Sequence, residues 1–158
     1  MLSPEIRTVA AVKAIGMSVE MSLLNPQTTP LFQSFMPRLK ELPHALGSEV
    51  YSLQEYPEGY FNRFDPQQTF KKWALVAITP STHLPNGMET YEIPGGQYAV
   101  FLQKGMDTVI FNEIYSQWLP QSPYELDARP HFEILGPKYK HNSPDSEEEI
   151  WIPIVPKS

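Results

Sequence analysis

Apolar and polar positions along this chain alternate in short runs, interrupted twice by stripes with helical spacing. Val9 to Met21, rich in Val, Ile and Ala, predicts a strand with a bend or bulge at Gly16. Thr28-Thr29-Pro30 then predicts a helix start, with a hydroxyl at the N-cap, and Leu31, Phe35, Leu39 and Leu42 form one buried face behind it. Pro37 lies inside that stripe and predicts a kink near Phe35 rather than two helices. Glu49 to Glu55 alternates and Phe70 to Thr79 is a denser apolar run; both predict strands. Pro80 to Gly87 is rich in turn residues.

The pattern then repeats. Glu89 to Ile93 and Gln97 to Gln103 predict strands on either side of a turn at Pro94-Gly95-Gly96. After Gly105-Met106-Asp107 a second helix carries Phe111, Ile114, Tyr115, Trp118 and Leu119 on one face, with Pro120 as its stop. His131 to Leu135 and Ile150 to Val155 are again strand-like. Strand, helix, strand, strand thus occurs twice, and Tyr51 and Glu133 fall at comparable places about 80 residues apart. The expectation is an α+β fold: one domain over 1–158 built from pseudo-repeats at about 6–80 and 88–156, with antiparallel sheets, two main helices and a cleft where the copies meet.

Composition sharpens this picture. The 17 prolines among 158 residues are about twice the usual share, which limits helix and favours short strands with stiff turns. With 41% hydrophobic and 12% aromatic residues the chain has material for a core. The absence of cysteine excludes disulfides, a thiolate nucleophile and sulfur-built zinc sites. A formal charge of −6 without a Lys/Arg stripe argues against direct nucleic-acid binding and against an anionic bilayer. Met1 to Arg7 lacks the layout of a signal peptide and no apolar run approaches 18 residues, so the expected location is the cytoplasm.

Glu133 is the carboxylate that needs explaining. It sits in the short strand His131-Phe132-Glu133-Ile134-Leu135, sharing a face with His131 and Leu135, and both faces carry apolar residues. A half-buried carboxylate costs several kcal/mol unless paired or hydrogen-bonded. A salt bridge to Arg129 or another basic side chain, or an edge strand with Glu133 in solvent, would account for it without function. Aromatic residues are dense around the expected cleft, including Tyr51, Phe64, Trp73, Tyr98 and Trp118. Any one ring is more often packing than ligand wall, but rings around an anionic floor attract planar or cationic molecules. His44, His83, His131 and His141 fit no metal-ligand spacing, so no metal and no cofactor is expected. No serine lies in a G-x-S-x-G setting, and Pro94-Gly95-Gly96 lacks the lysine and spacing of a phosphate loop. Asp145 to Glu149 reads as a solvated, charged turn.

The run Glu89 to Phe101, the helix ending Gln117-Trp118-Leu119-Pro120, Ala128 to Leu135 and Glu149 to Ile154, together with Leu31 to Arg38 and Tyr51 to Tyr56, resembles the GyrI-like small-molecule-binding domain. That module is the effector-binding part of multidrug-responsive bacterial transcription activators. The resemblance implies a duplicated strand-helix-strand-strand fold and a glutamate near the pocket floor that meets cationic aromatic drugs, a position matched by Glu133. Leu135 stands where many members carry an aromatic residue. Residues 1 to 28 are too few for a winged helix, so a stand-alone binding protein is expected. The leading reading is a binder of amphipathic aromatic or cationic compounds, with Glu133 supplying charge, Tyr51, Tyr98 and Trp118 stacking walls, and Trp73 and Phe64 further contacts. Two alternatives stay open: a hydrolase that opens the cyclopropane rings of alkylating natural products with Glu133 activating water, and a protein-interaction role such as gyrase inhibition.

Overall fold

Nine strands, two main helical segments and a short 3-10 turn at Tyr60–Asn62 make up the computed structural model, which describes residues 2–43, 45–79, 83–105, 109–136, 139–140 and 144–158. Strands β1 (Glu5–Val9) and β2 (Val12–Met21) lead to helix α1 (Thr28–Phe35), then β3 (Val50–Glu55) and β4 (Phe70–Ala77). Strands β5 (Glu89–Ile93) and β6 (Gly96–Lys104) lead to α2 (Val109–Glu113), then β7 (Tyr124–Leu126), β8 (His131–Leu135) and β9 (Glu147–Pro156). The sheet order is β1-β6-β9-β8-β3-β4-β2-β5, antiparallel throughout, with β7 added to β9. The α+β class expected from the sequence is the class observed.

Each half lends its first strand to the other. β1 pairs with β6 and β5 with β2, and one register runs through both pairings, from Glu5↔Val100 and Val9↔Gly96 to Val12↔Ile93 and Gly16↔Glu89. Residues 5–21 and 89–104 are therefore two long arms that cross, and they tie the two outer strands of the sheet to its interior, so that it curls. Pro94-Gly95-Gly96 is this crossing rather than the predicted turn, since β5 and β6 do not pair with each other. A side chain at Gly95 would meet the Val9 carbonyl oxygen at 2.8 Å and the Ala11 nitrogen at 2.7 Å, and Gly96 adopts φ 135° with Arg129 beneath it.

Curling gives the sheet two distinct faces. The inner face gathers Leu53, Trp73, Leu75, Tyr98, Phe132, Ile134 and Trp151 into one cluster. On the outer face α1 seals β2 and β4 through Leu31, Phe35, Ile15 and Val76, while α2 and its continuation seal β6 and β9 through Ile110, Ile114, Phe101 and Ile152. Arg129 pins the crossing. It ion-pairs with Asp127 at 2.6 Å, donates to the carbonyls of Gly95, Gln97 and Ile154 at 3.2, 2.8 and 3.1 Å, and lies 4.6 Å from the Tyr98 ring centroid.

Several local expectations are corrected. The bend in the first arm falls at Ala10-Ala11, not Gly16, and β1 precedes it. The N-cap of α1 is Gln27, with no side-chain cap, in place of a threonine. At Met36 the α-helix passes directly into a 3-10 helix, Met36–Glu41, containing Pro37. The second helix runs on through a π-helical turn, Ile114–Trp118, to Leu119–Gln121, so Pro120 sits inside the last turn instead of ending it. Glu147 to Glu149 belong to β9 and are partly buried, because that strand must extend to pair with Leu102, Gln103 and Lys104. The expectations placed on His44, Pro80, Met106, Asp107, Pro137 and His141 lie outside the described residues.

Candidate functional site

Between the areas sealed by the two helices, the outer face of β3, β8 and their neighbours carries a strip of polar side chains: Ser52, Gln54, Lys72 and His131 are buried and Glu133 and Glu148 partly so. The parity of each strand dictates this placement. Ser52 and Gln54 share the face of Val50, and Lys72 shares that of Ala74 and Val76. Glu133 lies opposite Ser52 on one side and beside Ile150 on the other, in the middle of the sheet rather than at an edge.

Gln54 donates to Glu133 Oε1 at 3.3 Å. Arg129, one of the basic partners considered from sequence, is committed to Asp127. Among the described residues Lys72 makes no ion pair within 4.0 Å, so Lys72, Glu133 and Glu148 feel one another through space without closing a bridge. Burial raises the pKa of Glu133, opposed by the Lys72 charge and the Gln54 hydrogen bond. Burial lowers that of Lys72, opposed by Glu133 and Glu148. Glu148 is pushed up to about 7, first by burial and then by the charge of Glu133, with Lys72 opposing. Two carboxyls thus face one ammonium group, and one of them exchanges its proton near neutrality.

Two recesses open onto this cluster. One, of about 780 Å³, lies under α1 and its 3-10 extension and is lined by Thr28, Phe32, Gln33, Met36, Val50 and Leu135, among others. The second, of about 530 Å³, is walled by Tyr56, Tyr60, Phe61, Phe64, Phe111 and Tyr115. Lys72 and Glu133 line both. In the second recess Tyr115 Oη lies 2.8 Å from His131 Nδ1, and Phe61 stacks on the His131 ring at 5.0 Å. Burial lowers the pKa of His131 to about 3, so the imidazole is neutral, and its tautomer sets which of the two groups donates in this hydrogen bond. No group of three or more His, Asp or Glu among the described residues is placed to hold a metal ion.

The residues singled out from sequence separate. Glu133 and Phe64 line the same recess, Phe64 at 76% exposure on its rim. Tyr51, Tyr98 and Trp73 point to the inner face, away from Glu133. Tyr51 lies tilted against Phe132 with ring centroids 5.7 Å apart, and Tyr98 donates to the Pro94 carbonyl at 2.5 Å. Trp73 Nε1 donates to Glu55 at 3.0 Å. Trp118 packs edge-on against Phe101 at 5.2 Å and borders a separate recess of about 430 Å³. Tyr51 and Glu133 are therefore not at comparable places. The residue opposite Glu133 is Ser52, and a one-residue offset in a strand changes the face. Sequence reasoning missed Lys72 and Glu148. Lys72 was visible as a lysine on the apolar parity of its strand; Glu148 was hidden inside an apparent charged turn.

A curled antiparallel sheet with one helix over each half is the α+β fold of the GyrI-like effector-binding domains. No helix among the described residues is long and apolar enough to cross a membrane. The chain belongs to the Cass2 family of integron-associated effector binding proteins, whose model matches residues 5–154. It is 27% identical over 150 residues to the transcriptional regulator BrlR of Pseudomonas aeruginosa, covering 91% of this chain and 52% of that protein, so it spans about half the length of this relative. The fold matches the EcmrR C-terminal domain (TM-score 0.72, 12% identity, 99% of both chains). It also matches SAV2435 bound to tetraphenylphosphonium (TM-score 0.63, 14% identity, 98% of this chain and 94% of that one).

Proposed function

We propose that this chain captures lipophilic organic cations over the Lys72–Glu133–Glu148 cluster, with the rings of the second recess as walls and Glu133 as the main counter-charge. The observation that carries this reading is the unbridged cluster itself. A desolvated carboxylate facing an open, apolar recess is costly, and a ligand cation offsets that cost. Aromatic faces add cation–π attraction of about 0.5 to 2 kcal/mol per well-placed ring. That SAV2435 holds tetraphenylphosphonium on the same fold supports the class of ligand. Tyr51, Tyr98, Trp73 and Trp118 are left out of the proposed contact set, and Lys72, Glu148, Phe61 and Tyr115 enter it. BrlR is a transcriptional regulator of about twice this length, and the proposal here is confined to effector capture.

Calorimetric titration with tetraphenylphosphonium tests the reading. Glu133→Gln keeps the shape and removes the charge, so binding is expected to weaken tenfold or more while folding is retained. Equal affinity in the variant would remove Glu133 from the site. The same raised carboxyl is what a water-activating base requires, and product formation from a strained cyclopropane substrate, lost in Glu133→Gln, would favour the hydrolase reading instead.

A further inference from the structure

The two recesses differ in chemistry although the two halves of the fold follow one plan. Rings dominate the one between β8 and α2, where Tyr56, Phe61, Phe64, Phe111, Tyr115 and His131 all contribute. Beneath α1 aliphatic and hydroxyl-bearing side chains outnumber rings, with Met36, Val50, Leu135, Thr28 and Thr29 beside the two rings of Phe32 and Tyr139. The two volumes meet along Lys72 and Glu133, the side chains they have in common.

We infer, on the basis of the cation reading above, that the two recesses form one bipartite site, selective for ammonium compounds with two unlike arms. The nitrogen sits at Glu133, a flat aryl arm enters the aromatic recess, and a flexible alkyl arm enters the recess under α1. Each methylene that the alkyl arm buries multiplies affinity by about fourfold at most, and linking two arms through one nitrogen makes the second docking event intramolecular. The asymmetry of the walls fixes the direction: the flexible arm meets the adaptable thioether of Met36, and the aryl arm meets ring faces.

Three probes test this in the wild-type chain: benzyltrimethylammonium, dodecyltrimethylammonium and benzyldodecyldimethylammonium, with tetraphenylphosphonium as the reference for the cation site. The two-armed probe is expected to bind at least tenfold more tightly than either one-armed probe. Gln33→Trp, an exposed α1 position on the first recess, is expected to weaken the dodecyl and two-armed probes and spare the benzyl probe. Ser116→Trp, exposed at the second recess, is expected to weaken the benzyl and two-armed probes and spare the dodecyl probe. A two-armed probe no tighter than the better one-armed probe, while tetraphenylphosphonium still binds through Glu133, overturns the bipartite site and leaves the cation reading standing. Failure of all four compounds to bind overturns both. The wild-type comparison alone decides the question if either tryptophan variant fails to fold.

Discussion

Cation capture at this site should be an exchange of cation for proton, because Glu148, pushed up to about 7, lies within reach of the charges of both Glu133 and Lys72. In the free protein at pH 6 about nine in ten copies carry a proton on Glu148, and at pH 8 about one in ten. A ligand cation favours the ionised form. If only that form binds, the apparent Kd is the intrinsic value multiplied by one plus the ratio of protonated to ionised carboxyl, which gives about elevenfold weakening at pH 6 and almost none at pH 8. Isothermal titration with tetraphenylphosphonium from pH 6 to 8.5 should therefore show affinity rising about tenfold and levelling above pH 8. Near pH 7 about half a proton should be released per cation bound, visible as an enthalpy that varies with the ionisation heat of the buffer. Glu148→Gln should flatten the profile. Affinity that is level across this range, or that falls as pH rises, would refute the exchange.

Stability offers independent checks. The raised Glu148 carboxyl binds a proton more tightly in the folded than in the unfolded chain, so its contribution is full below about pH 4.5 and is lost as pH rises to about 7. His131, lowered to about 3, works in the opposite direction: the unfolded chain takes up the proton first, and stability falls as pH drops from about 6.5 toward 3. His131→Phe should remove that acid-side loss in urea titrations; a variant with unchanged acid sensitivity would refute the assignment. Arg129→Met strands Asp127 and three backbone carbonyls and should cost about 3 kcal/mol by urea denaturation, with cation affinity unchanged because the crossing lies away from the outer strip. Gly95→Ala drives a methyl into the backbone of the first arm and should cost about 2 kcal/mol or more; a neutral result would mean that the arms have room to separate.

Much of the architecture was legible in one dimension because it follows from local periodicity. The strand at His131 to Leu135 lies where alternation predicts it, and Leu31, Phe35 and Leu42 of the first stripe and Ile114 of the second are buried against the sheet as their spacing requires. Glu133 could be picked out because a carboxylate in an apolar strand is a local anomaly. Its surroundings could not. Tyr51, Leu53 and Trp73 alternate with Ser52, Gln54 and Lys72, and nothing in the alternation says which set faces the helices and which the inside of the curl.

That assignment depends on the exchange of β1 and β5 between the halves, which curls the sheet and gives it an inner face for the large rings. The crossing at Gly95 is a contact between residues 85 positions apart, carried by backbone atoms, and it leaves only a glycine in the sequence. The pairing of Lys72 with the neighbourhood of Glu133 and Glu148 is likewise a product of strand order, with β4, β3, β8 and β9 laid side by side. The chain's own letters determined which segments are strands and helices, and which carboxylate is costly to bury. Tertiary structure alone decided what surrounds that carboxylate, because charge and burial act through space between strands that are distant in sequence.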